Sequence, residues 1–132
     1  GERVNCDMVV FAIGVRPNTG LVPTDSGIQI ERGIRVDAHM RTTAPGVYAA
    51  GDCVEAYDML ADSYHQLAIW PLAYRQGNIA GTNMAGVERA YEGGFPMNSI
   101  SVCDVPTISV GLVEPQDDGD PARYEVLDEY DR

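Results

Sequence analysis

The chain has 132 residues, 45% of them hydrophobic, with 14 glycines and 8 prolines, which is enough for one globular domain with a core. Twenty acidic residues against nine basic ones give a net charge of -11, a balance that repels nucleic acid phosphates and anionic membrane surfaces, so neither is expected as a partner. All nine basic residues are arginine, which excludes a Schiff-base lysine and a Walker-type phosphate loop.

The N-terminal residues lack the charged-then-apolar order of a signal peptide, and a cytoplasmic setting is expected. The first element is the run Met8-Val9-Val10-Phe11-Ala12-Ile13. It is too short to span a bilayer and suits a strand buried on both faces of a parallel sheet, closed by Gly14. Val15 to Gly20 reads as a loop from its Pro, Asn and Gly content. Gly27–Ile30 and Ile34–Asp37 alternate in polarity around Glu31-Arg32-Gly33 and predict a hairpin with a glycine bulge. The turn Ala44-Pro45-Gly46 introduces a second short buried strand, Val47 to Ala50, which stops at Gly51-Asp52.

The stretch PLAYRQGNIAGTNMAG predicts a helix of about four turns, with Pro71 at its first position and Gly86 just past its end. Ala73, Gly77 and Gly81 recur every four residues and give one nearly bare face, against which a sheet, a helix or a ligand can approach. A leucine at 77 or 81 is accordingly expected to overpack. Composition changes near Glu92-Gly93-Gly94, which divides the chain into residues 1–92 and 93–132. Beyond it, Asn98 to Val102, Thr107 to Leu112 and Tyr124 to Leu127 read as strands, and Glu114 to Arg132 is an acidic end with eight Asp or Glu and two Arg.

Cys6, Cys53 and Cys103 lie far apart, with no CxxC and no histidine at metal-ligand spacing, so each reads as a small buried hydrophobe and no metal site is expected. His39 and His65 stand isolated, and Asp117-Asp118-Gly119-Asp120 lacks the spacing of a calcium loop.

Three runs in order, DMVVFAIGVRPNTGL with its A-x-G-x-x-P pattern, GIRVDAHMRTTAPGVYAAGDC, and PLAYRQGNIAGTNMAG, closely resemble the second half of the FAD-binding domain of the pyridine nucleotide-disulfide oxidoreductase superfamily. The segment MNSISVCDVPTISVGLVEP resembles the start of the interface domain of its NADH oxidase, coenzyme A-disulfide reductase and rubredoxin reductase branches. The resemblance implies an α/β fold: a partial Rossmann-like FAD/NAD(P)-binding domain of three layers (ββα), followed by the beginning of an α+β interface domain through which a homodimer forms.

It also implies an FAD-dependent oxidoreductase in which NAD(P)H reduces the flavin and the flavin reduces a disulfide, dioxygen or a small redox protein. By resemblance Asp52 accepts hydrogen bonds from the ribityl hydroxyls, for which an acceptor with no donor of its own is suited. Gly51 lets the main chain turn beside the cofactor. The helix starting at Pro71 offers the amides of Leu72 and Ala73 to the charge that develops around flavin N1 and the C2 carbonyl. Gly14 joins these cofactor-binding candidates, Trp70 is placed to cover the isoalloxazine edge, and no catalytic residue is assigned.

Cys53 is not promoted to the redox-active cysteine, because the family pattern places that residue in a more N-terminal part. The GxGxxG fingerprint is absent from the chain, so it is expected to begin in mid-protein, to bind FAD poorly alone, and to self-associate through Met8 to Ile13 and the bare helix face. The rival reading is a non-catalytic dimerisation fragment that binds no cofactor.

Overall fold

The computed structural model describes residues 3–111; the acidic end, the Asp117–Asp120 cluster and the strand expected at Tyr124 to Leu127 lie outside them. Strands β1 (Ile34–Arg35), β2 (Val54–Asp58) and β3 (Ser63–His65) are followed by helix α1 (Trp70–Met84) and strands β4 (Met97–Val102) and β5 (Val105–Val110). The chain divides into two compact units after Phe95.

In the first unit β2 is the central strand, parallel to β1 with Ile34 opposite Val54, and antiparallel to β3 with Tyr57 opposite Tyr64. Both outward sides of β2 are therefore hydrogen-bonded, which accounts for the burial of four of its five residues. Ile34, Val36, Met40, Val54, Ala56, Ile79, Ala80 and Tyr91 form the core. The helix presents Leu72, Gln76, Ile79, Ala80 and Asn83 to the interior, the spacing of one helical face.

The ends of α1 follow from local chemistry. Ile69 is the extended residue before it, and Pro71 is the second helical residue, one place later than expected. At the other end Gly86 adopts φ +84°, and the Gly86 and Val87 amides donate to the Asn83 and Thr82 carbonyls at 3.0 and 3.1 Å. This is the paired Schellman closure that glycine permits without a Cβ clash.

Three expectations are corrected here. Met8 to Ile13 is not a strand: Met8, Val9, Val10, Phe11 and Ile13 are each 65–86% exposed. A strand exists only through ladder partners, and among the described residues none pairs with this run. The bare helix face is not the packed one. A Cβ at Gly77 or Gly81 meets nothing within 4 Å, so the expected overpacking by leucine does not hold. The helix turns instead toward Leu72 and Ile79, whose side chains have more apolar surface to remove from water. Finally, Val47 is exposed and Tyr48 to Ala50 are half-buried, the segment is joined to Arg41 by a single bridge at Tyr48, and the strand proper begins after Gly51-Asp52, at Val54.

The predicted hairpin around residues 31–33 is reduced to one antiparallel bridge, Ile30 to Ile34, with the Glu31 amide bonded to the Gly33 carbonyl at 3.0 Å. Gly33 serves close approach: a Cβ there would lie 2.8 Å from the Cys53 carbonyl oxygen. Of the cysteines, Cys53 is half-buried, while Cys6 and Cys103 are exposed, contrary to the reading of all three as interior. His39 is not isolated either, since its ring nitrogens lie 3.9 Å from Asp37 and 3.3 Å from Glu88; His65 Nε2 lies 2.9 Å from the Ser63 hydroxyl.

In the second unit β4 and β5 form an antiparallel hairpin in continuous register from Met97 opposite Val110 to Val102 opposite Val105. Cys103 and Asp104 both have positive φ, the two-residue turn whose twist matches the flanking strands. Pro106 sits within β5, opposite Ser101, where the two-stranded ribbon leaves its missing N–H without cost.

Candidate functional site

The turn Gly51-Asp52-Cys53 links the half-buried segment to β2, and the main-chain groups recorded around it are held from several directions. The Gly51 amide donates to Gln76 Oε1 at 2.9 Å, and the Gly51 carbonyl accepts the Val54 amide at 3.1 Å. Gln66 Nε2 donates to the Asp52 carbonyl at 2.8 Å, and the Cys53 carbonyl accepts the Ile34 amide at 2.8 Å. Gly51 has φ +90°, a backbone region that costs a side-chain-bearing residue, and a Cβ placed there would lie 3.8 Å from the Ala73 Cβ. With the backbone so engaged, the Asp52 carboxylate is left exposed and, among the described residues, makes no hydrogen bond or ion pair.

The first turn of α1 lies near this loop, with Ala73 on the side of Gly51 where a Cβ would project. It contains no acidic residue and no side-chain cap, so the positive end of the helix is uncompensated. The Ala73 amide donates to the Ile69 carbonyl at 3.1 Å, which removes it from the candidate donors. The Leu72 amide has no backbone or side-chain acceptor among the described residues, although Leu72 itself is buried at 7% exposure. An unpartnered donor on a buried residue of α1 and an unpartnered carboxylate on the turn fastened to that helix suit a ligand that carries both an acceptor and hydroxyl donors. Trp70, the residue before Pro71, is 82% exposed at the same end.

Gly14, with φ +79°, has open space around it. The residues flanking it, Ile13 and Val15, line a cavity of about 500 Å³ together with Arg16, Pro17, Arg32 and Gln66. Gln66 is the residue that also holds the Asp52 carbonyl, so the cavity adjoins the Asp52 turn. The structure thus brings the Gly51-Asp52 turn to α1 at Ala73 and Gln76, while the cavity lined by Ile13 and Val15 meets that turn only through Gln66.

Sequence reasoning missed Gln66, Gln76 and Glu55. A glutamine at position 76 falls on the Leu72–Ile79 stripe of α1, and a polar side chain on an apolar stripe is the signal that could have singled it out. Glu55 is 4% exposed; its Oε1 accepts the Arg32 amide at 3.2 Å, and its Oε2 has no partner among the described residues. Among the described residues two groups are shifted from their usual values. Hydrogen bonding to Asp62 at 2.6 Å raises the Tyr57 phenol, and hydrogen bonding to Tyr48 raises the Arg41 guanidinium. Neither belongs to the Asp52 turn. Among the described residues no group of His, Cys, Asp and Glu is arranged to hold a metal, and no helix is long and apolar enough to cross a membrane.

The model of the pyridine nucleotide-disulphide oxidoreductase family matches residues 1–77. An NADH oxidase of Methanocaldococcus jannaschii is 36% identical over 84% of the chain, which spans 24% of that relative. The chain superimposes on an FAD-dependent pyridine nucleotide-disulphide oxidoreductase of Desulfovibrio vulgaris with a TM-score of 0.65 at 33% identity, covering 74% of this chain and 25% of that one. For reduced CoADR-RHD of Bacillus anthracis the TM-score is 0.76 at 27% identity, covering 86% and 21%. The chain thus spans about a quarter of the length of these proteins.

Proposed function

Because the chain belongs to the pyridine nucleotide-disulphide oxidoreductase family, whose cofactor is FAD and whose electron donor is NAD(P)H, we propose that its Gly51–Asp52 turn and the first turn of α1 form one side of a flavin cradle. The free Asp52 carboxylate and the unpartnered Leu72 amide, on a turn and a helix fastened together by the bond from the Gly51 amide to Gln76, carry this reading. Asp52 accepts hydrogen bonds from ribityl hydroxyls, and Leu72 donates to an acceptor on the pyrimidine edge, where the uncompensated helix end favours negative charge. Gly51 and Ala73 contribute by smallness, since a Cβ at Gly51 would already stand 3.8 Å from the Ala73 Cβ. Pro71 fixes the start of the helix without adding a donor of its own. Gly14, bare and at positive φ, lets the Ile13–Val15 segment bend along the cavity.

Bound FAD supplies the two-electron exchange between NAD(P)H and an acceptor; the residues of this chain hold and orient it. The acceptor belongs to the class of disulfides, dioxygen or small redox proteins. Residues 1–92 are read as the second half of the FAD domain, and residues 93–132 as the start of an interface domain in a cytoplasmic homodimer. The exposed Met97, Ile100, Ile108 and Val110 of the β4–β5 hairpin support that last reading, since a two-stranded ribbon gains its stability from a covering surface.

Titration of riboflavin, followed by flavin fluorescence, tests the cradle. Asp52→Ala leaves ribityl hydroxyls without their acceptor, at a cost of about 1 to 3 kcal/mol, and affinity is expected to fall about ten-fold or more. Equal affinity in the variant and the parent would remove Asp52 from the site.

A further inference from the structure

We infer that Tyr57 is a proton-coupled oxidation site: it gives an electron to a one-electron oxidant of the carbonate-radical class while its proton passes to Asp62, and it is the tyrosine of the first unit that such oxidants modify. The inference rests on side chains around the β2–β3 hairpin and is independent of the flavin reading.

A neutral phenol that loses an electron becomes a strong acid, so the electron leaves readily only where a base already stands to take the proton. The Tyr57 hydroxyl donates to Asp62 Oδ1 at 2.6 Å, the short separation of a hydrogen bond to a carboxylate. The base is therefore within reach of the proton before any oxidant arrives. The fold builds this pair. Tyr57 lies in the central strand β2 opposite Tyr64 of β3, and Asp62, with φ +47°, immediately precedes β3 in the turn between the strands. The Tyr57 ring is set by the Tyr64 ring, edge to face at 6.0 Å between centroids, and by Gly93, where a Cβ would come within 2.8 Å of Tyr57 Cδ1. Asp58 adds a second negative charge near the phenol, and negative charge stabilises a ring that is losing an electron.

The other tyrosines among the described residues lie in a different setting. The Arg35 guanidinium stacks over the Tyr64 ring at 3.6 Å, the Arg41 guanidinium bonds to Tyr48, and the Arg75 guanidinium lies 5.4 Å from the centre of the Tyr91 ring. A cation at the ring or its oxygen opposes the positive charge that electron loss creates. Tyr91 is also 3% exposed, and its hydroxyl accepts from Gln76 Nε2 at 3.5 Å. Tyr74 is 72% exposed and makes no side-chain hydrogen bond among the described residues, so its proton has water to receive it. Among these five tyrosines Tyr57 alone donates to a carboxylate.

The carbonate radical anion takes one electron and becomes carbonate. The O–H bond of Tyr57 breaks, the proton forms the O–H bond of the Asp62 carboxylic acid, and a neutral phenoxyl radical stays on Tyr57. Nitrogen dioxide, where present, forms a C–N bond at the ring carbon beside the oxygen. The hydrogen on that carbon moves to the oxygen as the phenol re-forms, and Asp62 returns its proton to solvent. The product is a nitrated Tyr57.

Limited treatment of the 132-residue chain with peroxynitrite in bicarbonate buffer supplies both radicals, and peptide mapping of nitrated tyrosine reads the site. In the parent, Tyr57 is expected to be nitrated ahead of Tyr74, although Tyr74 is the more exposed. Asp62→Asn keeps an oxygen acceptor and tolerates the left-handed backbone but takes no proton, so the Tyr57-to-Tyr74 ratio is expected to fall about ten-fold or more. Both readouts compare two residues within one sample, so oxidant consumed by cysteine, methionine and Trp70 does not enter them. Nitration of Tyr74 ahead of Tyr57 in the parent overturns the proposal without any variant. An unchanged ratio in an Asp62→Asn protein with the parent's circular dichroism overturns it as well. Should that variant fail to fold, the order in the parent decides.

Discussion

Gln76 accepts the Gly51 amide at 2.9 Å from a position on α1 that is itself 2% exposed. A turn and a helix separated by 25 residues are thereby fastened at one point, and the helix end is fixed relative to Asp52. Gln76→Leu keeps the side chain's bulk and removes the acceptor, stranding the amide at a cost of about 1 to 3 kcal/mol. Chemical denaturation should show the loss with little change in m-value. Stability equal to the parent would show that water replaces Gln76 at no cost.

Gly77 and Gly81 give the opposite expectation. Neither has a positive φ, and added Cβ atoms would stand in open space, so alanine there adds helix propensity with no steric charge against it. Each of Gly77→Ala and Gly81→Ala should stabilise by about 0.5 to 1 kcal/mol. A lower thermal midpoint in both would mean that this face is covered in solution.

The contrast marks what was legible in the sequence. The helix was, because Pro71 and Gly86 bracket it and both act locally; its buried face was not, because Gln76 and Asn83 earn their interior places through partners distant in sequence. Asn83 donates to the His39 and Arg89 carbonyls, and no periodicity announces that. Met8 to Ile13 shows the converse failure: its composition states that it can be buried, but a strand needs neighbours that composition cannot supply. Val54–Asp58 was overlooked since Glu55 and Asp58 break its apolar pattern, yet both are buried, Glu55 against the Arg32 amide and Asp58 against the Leu60 and Ala61 amides. The Gly51-Asp52 pair was legible as a stop in an apolar run, whereas its bond to Gln76 depended on the fold.

Gly33 is the position where a single methyl should do most harm. In Gly33→Ala the Cβ would sit 2.8 Å from the Cys53 carbonyl oxygen and 3.1 Å from the Val54 carbonyl carbon, both main-chain atoms that cannot rotate away. The β1–β2 pairing must open to admit it, with a loss of about 1 to 3 kcal/mol. Hydrogen exchange of the Ile34 amide, which bonds to the Cys53 carbonyl at 2.8 Å, reads this opening directly. Unchanged protection there would contradict it.

The Tyr57 hydroxyl donates to Asp62 Oδ1 at 2.6 Å, and that bond is the first cause of its raised pKa, followed by burial and the nearby negative charge. The folded value lies above the unfolded value of about 10, so the bond's contribution is fully present below pH 10 and is lost as pH rises through the folded value. The parent's thermal midpoint should therefore fall more steeply above pH 10 than that of Tyr57→Phe, and the variant should be the less stable of the two at neutral pH. Parallel curves across the alkaline range would separate this hydroxyl from stability.

The start of α1 permits a test in which stability and cofactor affinity move in opposite directions. Ile69 occupies the N-cap in extended conformation, φ -133° and ψ 139°, with a side chain that cannot cap, and the Leu72 amide three residues on has no acceptor among the described residues. Asp at position 69 would reach that amide in the usual capping geometry and place a negative charge at the positive helix end. Ile69→Ala serves as the reference, because both substitutions give up the same half-buried apolar surface. Relative to it, Ile69→Asp should stabilise by about 0.5 to 2 kcal/mol. If the Leu72 amide meets the pyrimidine edge of a flavin, the same aspartate occupies the donor and repels the charge that gathers there, so riboflavin affinity should fall below that of Ile69→Ala. A merely structural helix start predicts the gain in stability with no loss of affinity, and that result would leave Asp52 without its partner across the cradle.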